Sequence, residues 1–75
     1  MSPVEADQYR LALHKCAERY RDMMAVPQVP LKDPLWLFNM QFMFGCRDGL
    51  PVPKLCRWLG YIQGVLIERG FTTVA

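Results

Sequence analysis

The 75-residue sequence predicts an all-α fold, a small bundle of three helices joined by proline-rich connectors. Three observations carry that reading. Helix-start signals, an oxygen-bearing side chain followed by proline, stand at Ser2-Pro3 and Asp33-Pro34. Apolar residues recur at steps of three and four after the first of these signals and again after Pro53. No segment alternates in the way that would supply partner strands for a sheet. The helices are expected at about 3–25, 34–47 and 53–69, in a single domain spanning 1–75.

The first helix opens on Ser2-Pro3-Val4-Glu5, which has the form of a capping box with serine as N-cap and glutamate reaching back. Ala6, Tyr9, Leu13, Cys16, Tyr20 and Met23 or Met24 then mark one apolar face. Asp7, Arg10, Lys15, Glu18, Arg21 and Asp22 point elsewhere. Pro27 ends the helix at or before Val26. The connector that follows carries Pro27 and Pro30 and is expected to be extended, with Val29 and Leu31 lying on the bundle.

The second helix, Leu35-Trp36-Leu37-Phe38-Asn39-Met40-Gln41-Phe42-Met43-Phe44-Gly45-Cys46, is apolar on nearly every side. Its aromatics also suit a strand, but with no partner strand in the chain a helix is expected. A helix of this kind must be covered all round, and two other short helices can hardly do so. On a helical wheel Leu35, Phe38, Phe42 and Met43 face the core. Trp36, Met40 and Phe44 lie on other sides with Leu37 between, leaving Asn39 and Gln41 as the polar groups offered to water. Asp48-Gly49 supplies a turn, and Leu50-Pro51-Val52-Pro53 forms a second braced connector.

The third helix runs from Pro53 to Arg69, with Gly70 as its cap and Phe71 packing back onto the last turn. Leu55, Trp58 or Leu59, Ile62, and Val65 or Leu66 form its buried stripe. Gly60 and Gly64 each cost about 1 kcal/mol relative to alanine in a helix interior, and their usual compensation is the close approach of another backbone. Thr72 or Thr73 could cap a further helix, so the chain is expected to be truncated at its C-terminus.

Composition narrows the function classes. A chain this short buries only about 60% of its unfolded surface, yet 52% of its residues are hydrophobic. A dimer or a component of a complex is therefore expected. The net charge of +2 arises from nine Lys/Arg interleaved with seven Asp/Glu, with no basic block to mark a nucleic-acid arm or lipid-binding patch. The N-terminus lacks the form of a secretory signal, and no apolar run reaches the roughly 20 residues of a membrane span. A soluble, cytoplasmic protein is expected.

Catalytic arrangements are not apparent. Ser2 is the only serine and is taken by a cap. His14 and Cys16 diverge by roughly 200° on a helix and form no dyad by themselves. Cys16, Cys46 and Cys56 lack zinc-site spacing and are expected to serve as small buried apolar residues. No enzyme activity, metal or cofactor is expected.

Two binding readings remain. In the first, Trp36, Met40 and Phe44 contact a partner protein, while Gly60, Tyr61 and Gly64 form a close helix crossing. The partner is a second copy, giving a homodimer, or a host protein. The alternative is a small helix-turn-helix-like DNA-binding regulator using Lys54, Arg57 and Arg69. Glu68 interrupts that basic edge, and the glycines weaken a reading helix, so protein binding is the expected class.

The stretch Leu55-Cys56-Arg57-Trp58-Leu59-Gly60-Tyr61-Ile62-Gln63-Gly64-Val65-Leu66 resembles a rWLGyiQGvL motif of small tailed-bacteriophage accessory proteins. The resemblance covers about a sixth of the chain. Those proteins carry a further charged segment that does not follow Ala75 here. The resemblance implies a phage or prophage accessory protein in the bacterial cytoplasm, modulating or inhibiting a host protein by binding and occlusion. It designates no catalytic or binding residue.

Overall fold

Three helices, α1 (Pro3–Ala25), α2 (Pro34–Asp48) and α3 (Val52–Glu68), make up the fold in a computed structural model that describes residues 1–25 and 29–71. There is no strand among the described residues. The architecture is the expected all-α bundle. Val26, Pro27, Thr72 and Thr73, named above for a helix end and a possible further cap, lie outside the described residues.

The helix ends that the described residues include have local causes. Ser2 Oγ accepts from the Glu5 amide at 3.2 Å, and its hydroxyl faces Glu5 Oε1 at 3.1 Å. The capping box thus forms its first bond, while glutamate meets the serine hydroxyl rather than the serine amide. Asp33 caps α2 by accepting from the Leu35 amide at 2.9 Å, with Pro34 at the first helical position. Gly49 and Gly70 adopt left-handed backbone, φ 81° and 78°. The amides after them return to Gly45 and Leu66, which ends α2 and α3 in Schellman turns. α3 begins one residue earlier than expected, with Pro51 at its N-cap.

α2 runs antiparallel to α1. Arg10 Nε donates to the Leu50 carbonyl at 2.8 Å, and Asn39 Nδ2 donates to the Ala17 carbonyl at 2.9 Å. The core gathers Ala17, Tyr20 and Met24 from α1, Leu35, Phe42 and Cys46 from α2, and Leu55, Leu59, Ile62 and Leu66 from α3. Gln63 Nε2 donates to the Tyr20 hydroxyl at 2.6 Å, joining α3 to α1.

The structure corrects four expectations. Tyr9 is exposed, because α1 projects beyond the other helices and no residue before Ala17 is fully buried on it. On α2 the buried row is Leu35, Asn39, Phe42, Gly45 and Cys46, so Phe38 moves to the edge and Asn39 moves inside. The Asn39 side chain is inside because it donates to α1, and Gly45 because its missing side chain admits Leu50. A Cβ on Gly45 would lie 2.7 Å from Leu50 Cδ1 and 3.3 Å from Leu55 Cδ2. Val29 is buried as expected, but Leu31 is 84% exposed. Of the cysteines only Cys46 is buried: Cys16 is half-buried and accepts from Arg19, and Cys56 is exposed.

Candidate partner-docking surface

Trp36, Met40 and Phe44 stand four residues apart, so they form one row along α2. The structure brings all three into a groove of about 440 Å³, shared with Leu31, Asn39 and Met43 and bordered by Arg21 and Arg47. Met40 and Phe44 each leave half their surface in water. Trp36 is half-buried, and its indole Nε1 donates to the Val29 carbonyl at 2.9 Å, which fixes the ring against the connector. The groove therefore has one rigid aromatic wall and two adaptable methionines. Covering Met40 and Phe44 would contribute roughly 2–3 kcal/mol, against a stability of about 3–5 kcal/mol for domains of this size.

Polar chemistry in the groove is sparse and uneven. Asn39 is 2% exposed, and its Oδ1 has no hydrogen-bond partner although Nδ2 is engaged. Arg47 reaches from α2 to α1, where its Nε donates to His14 Nε2 at 3.2 Å. With that nitrogen accepting, the His14 proton sits on Nδ1, 2.9 Å from Glu18 Oε1. Arg21 pairs with the neighbouring Asp22 at 3.5 Å. The sequence reading missed Leu31, Arg21 and Arg47. Arg47 had a faint signal, a cation in the last turn of an apolar helix; Arg21 had none, since only the antiparallel packing brings α1 to this edge.

His14 and Cys46 meet in a second recess of about 300 Å³, with Asp7, Arg10, Leu11, Arg47 and Gly49. Both imidazole nitrogens are already engaged, and burial raises the Cys46 thiol pKa while Arg10 opposes the shift. The pair therefore lacks a free base beside an activated thiolate. No group of three or more His, Cys, Asp or Glu is placed to hold a metal ion among the described residues. No described helix is long and apolar enough to cross a membrane.

The other expected contacts are divided. Gly60 and Gly64 are exposed, with no atom within 4 Å of where a Cβ would stand. The close crossing expected there is therefore not made by this chain's own helices. Tyr61 is exposed but its ring lies 5.3 Å from that of Phe38, tilted by 45°, and Phe38 also meets Trp58 edge-on at 6.3 Å. Much of the motif behind the phage resemblance serves the fold: Leu55, Leu59, Ile62 and Leu66 are core, and Trp58 and Val65 pack against it.

Lys54 and Arg57 are exposed on the first turns of α3. Arg69 stands about 18 Å further along the axis, and its Nη1 donates to Asp33 Oδ2 at 2.7 Å. The three cations make no common basic surface. No family model matches the sequence, and no curated protein or solved structure matches it significantly.

Proposed function

We propose that this chain is a protein-binding domain that takes an amphipathic helix of its partner into the α2 groove and acts by occlusion. One observation carries the reading: Trp36, Met40 and Phe44 converge with Leu31 and Met43 on a single concave apolar surface. The row spans about 12 Å, two turns of helix, which is the scale on which helix-in-groove recognition works. Arg21 and Arg47 at the borders favour acidic residues flanking the apolar face of that partner helix. The resemblance of residues 55–66 to phage proteins supports a setting in bacteria, with a host protein as the target.

The test is differential capture from a bacterial lysate. Wild-type chain is compared with Phe44→Glu and Met40→Glu, both at half-exposed positions, and with Lys54→Ala on α3. A target retained by wild type and Lys54→Ala, and lost by both groove variants, supports the reading. Equal retention by all four proteins overturns it.

A further inference from the structure

His14 is the only histidine of the chain, and partner docking makes no use of it. It stands where α1 passes the end of α2, with its side chain 12% exposed. Its two ring nitrogens face opposite chemistry. Nε2 accepts from Arg47 Nε on α2 at 3.2 Å, while Nδ1 lies 2.9 Å from Glu18 Oε1 on its own helix. A neutral imidazole offers one acceptor and one donor, and here each has its partner.

Protonation upsets only one of these contacts. A hydrogen on Nε2 points at the Arg47 N–H, so a donor meets a donor and a cation meets a cation. The Nδ1–H bond to Glu18 gains a charged donor and strengthens. The rest of the recess offers the new charge little relief. From α1 it holds Asp7 and Arg10, which pair with each other at 2.9 Å, and from α2 it holds Cys46 beside Arg47. Burial pushes the Cys46 thiol up, so it stays neutral. Gly49 completes the lining, and no described residue of α3 belongs to it. Imidazole is the side chain whose ordinary charge change falls between about pH 5 and 8, where carboxylates and guanidiniums ordinarily keep their charges.

Arg47 borders two spaces at once, the recess beside His14 and the α2 groove beside Met43 and Phe44. Two further polar ties to α1 run from Arg10 to the Leu50 carbonyl and from Asn39 to the Ala17 carbonyl. Backbone carbonyls do not titrate in this range, so the helices stay joined while the arginine contact opens.

We propose that His14 and Arg47 form a proton-operated latch: neutral His14 holds the Arg47 guanidinium against α1, and protonated His14 releases it to the border of the α2 groove. Mild acid thereby frees a cation at the groove edge without unfolding the bundle. The latch does not require the groove to be a docking site.

Nitrogen NMR on the labelled full chain, from about pH 8 to pH 5, tests this. At the upper end the ring is expected in the Nδ1–H tautomer. Arg47 Nε should then shift with the ring at one common midpoint, and the Met43 and Phe44 side-chain signals should shift with them. Circular dichroism at both ends verifies that the bundle remains folded. His14→Gln keeps an acceptor for Arg47 and has nothing to titrate, so all three signals should stay in place across the range. The wild-type titration decides the matter even where the variant does not fold.

A ring in the Nε2–H tautomer at pH 8 overturns the proposal, as does an Arg47 Nε that stays fixed while the ring titrates. Groove signals that do not follow the ring, or that move equally in His14→Gln, overturn it too. None of these measurements reads partner capture, so failure of the latch and failure of docking are seen separately.

Discussion

α2 and α3 are of similar length and similarly apolar, yet they meet water in opposite ways. α3 buries Leu55, Leu59, Ile62 and Leu66 as one stripe and turns Lys54, Arg57, Gly60 and Gly64 outward. α2 buries Leu35, Phe42 and Cys46 with Asn39 and Gly45, and leaves Leu37, Met40 and Phe44 half in solvent. In α3 the large apolar residues are covered by the bundle, with Tyr61 and Ile67 the exposed exceptions at its edges. In α2 the apolar residues outnumber the positions the bundle can cover. The difference separates a helix that builds the core from one that builds the core and also leaves surplus apolar surface in water.

The sharpest way to break that comparison lies inside α2. Phe42 is fully buried and Phe44 is 50% exposed, two residues further along. Phe42→Ala removes a ring packed edge-on against Trp58 at 6.1 Å and should cost about 3–5 kcal/mol. That is the whole stability of a domain this small, so the variant is expected to be largely unfolded at room temperature by circular dichroism. Phe44→Ala should change the urea-unfolding free energy by less than about 1 kcal/mol. Equal losses in the two variants would mean that Phe44 is part of the core, and the surplus surface would disappear.

The same contrast explains what the sequence made legible. α3 could be read in phase because its polar and apolar residues alternate at helical period, so its stripe and its Gly70 turn were both foreseen. α2 gave no phase, since an apolar residue stands on every side, and the two residues that set its orientation look like surface or breaker residues. Asn39 reads as a group offered to water, yet its amide ties α2 to the Ala17 carbonyl across the bundle. Gly45 reads as the approach to a turn, yet it is the seat for Leu50. Trp36, Met40 and Phe44 were expected to lie off the core face and to suit a contact by residue type, and the structure places them along one groove. The arginines beside them were not foreseen, because the border of the groove is made by antiparallel packing of segments distant in sequence.

Glycines sharpen the comparison at intermediate scale. An alanine at Gly45 would press on Leu50 and on the fully buried Leu55. The expected net loss for Gly45→Ala is about 1 kcal/mol, after the roughly 1 kcal/mol that alanine gains over glycine in a helix. Gly60→Ala and Gly64→Ala enter open space and should each gain about 0.5–1 kcal/mol. Urea midpoints of the three variants should therefore move in opposite directions. A stability loss at Gly60 or Gly64 would show that another backbone approaches α3 in solution, and α3 would then carry contact surface of its own.

The smallest effect concerns the link between the two regions. Asp33 caps α2 and accepts from Arg69 at the end of α3, so one carboxylate joins the start of the surplus helix to the end of the core helix. The Leu35 amide bond, and then the Arg69 contact, hold its pKa below the ordinary 3.8. A lowered folded-state pKa means that the carboxylate favours folding at pH values above the unfolded pKa. The contribution is lost as pH falls through the folded value. Asp33→Asn retains an acceptor for the Leu35 amide and removes the charge that Arg69 meets. Wild type should therefore melt slightly above Asp33→Asn at pH 6, with the gap closing between pH 4 and pH 2. Other carboxylates titrate in both proteins, so the difference between the two melts isolates this one to first order. The gap should be small, because exposed ion pairs contribute little. A gap that persists unchanged to pH 2 would show that the acid matters through its shape as a cap, with α2 and α3 joined by packing alone.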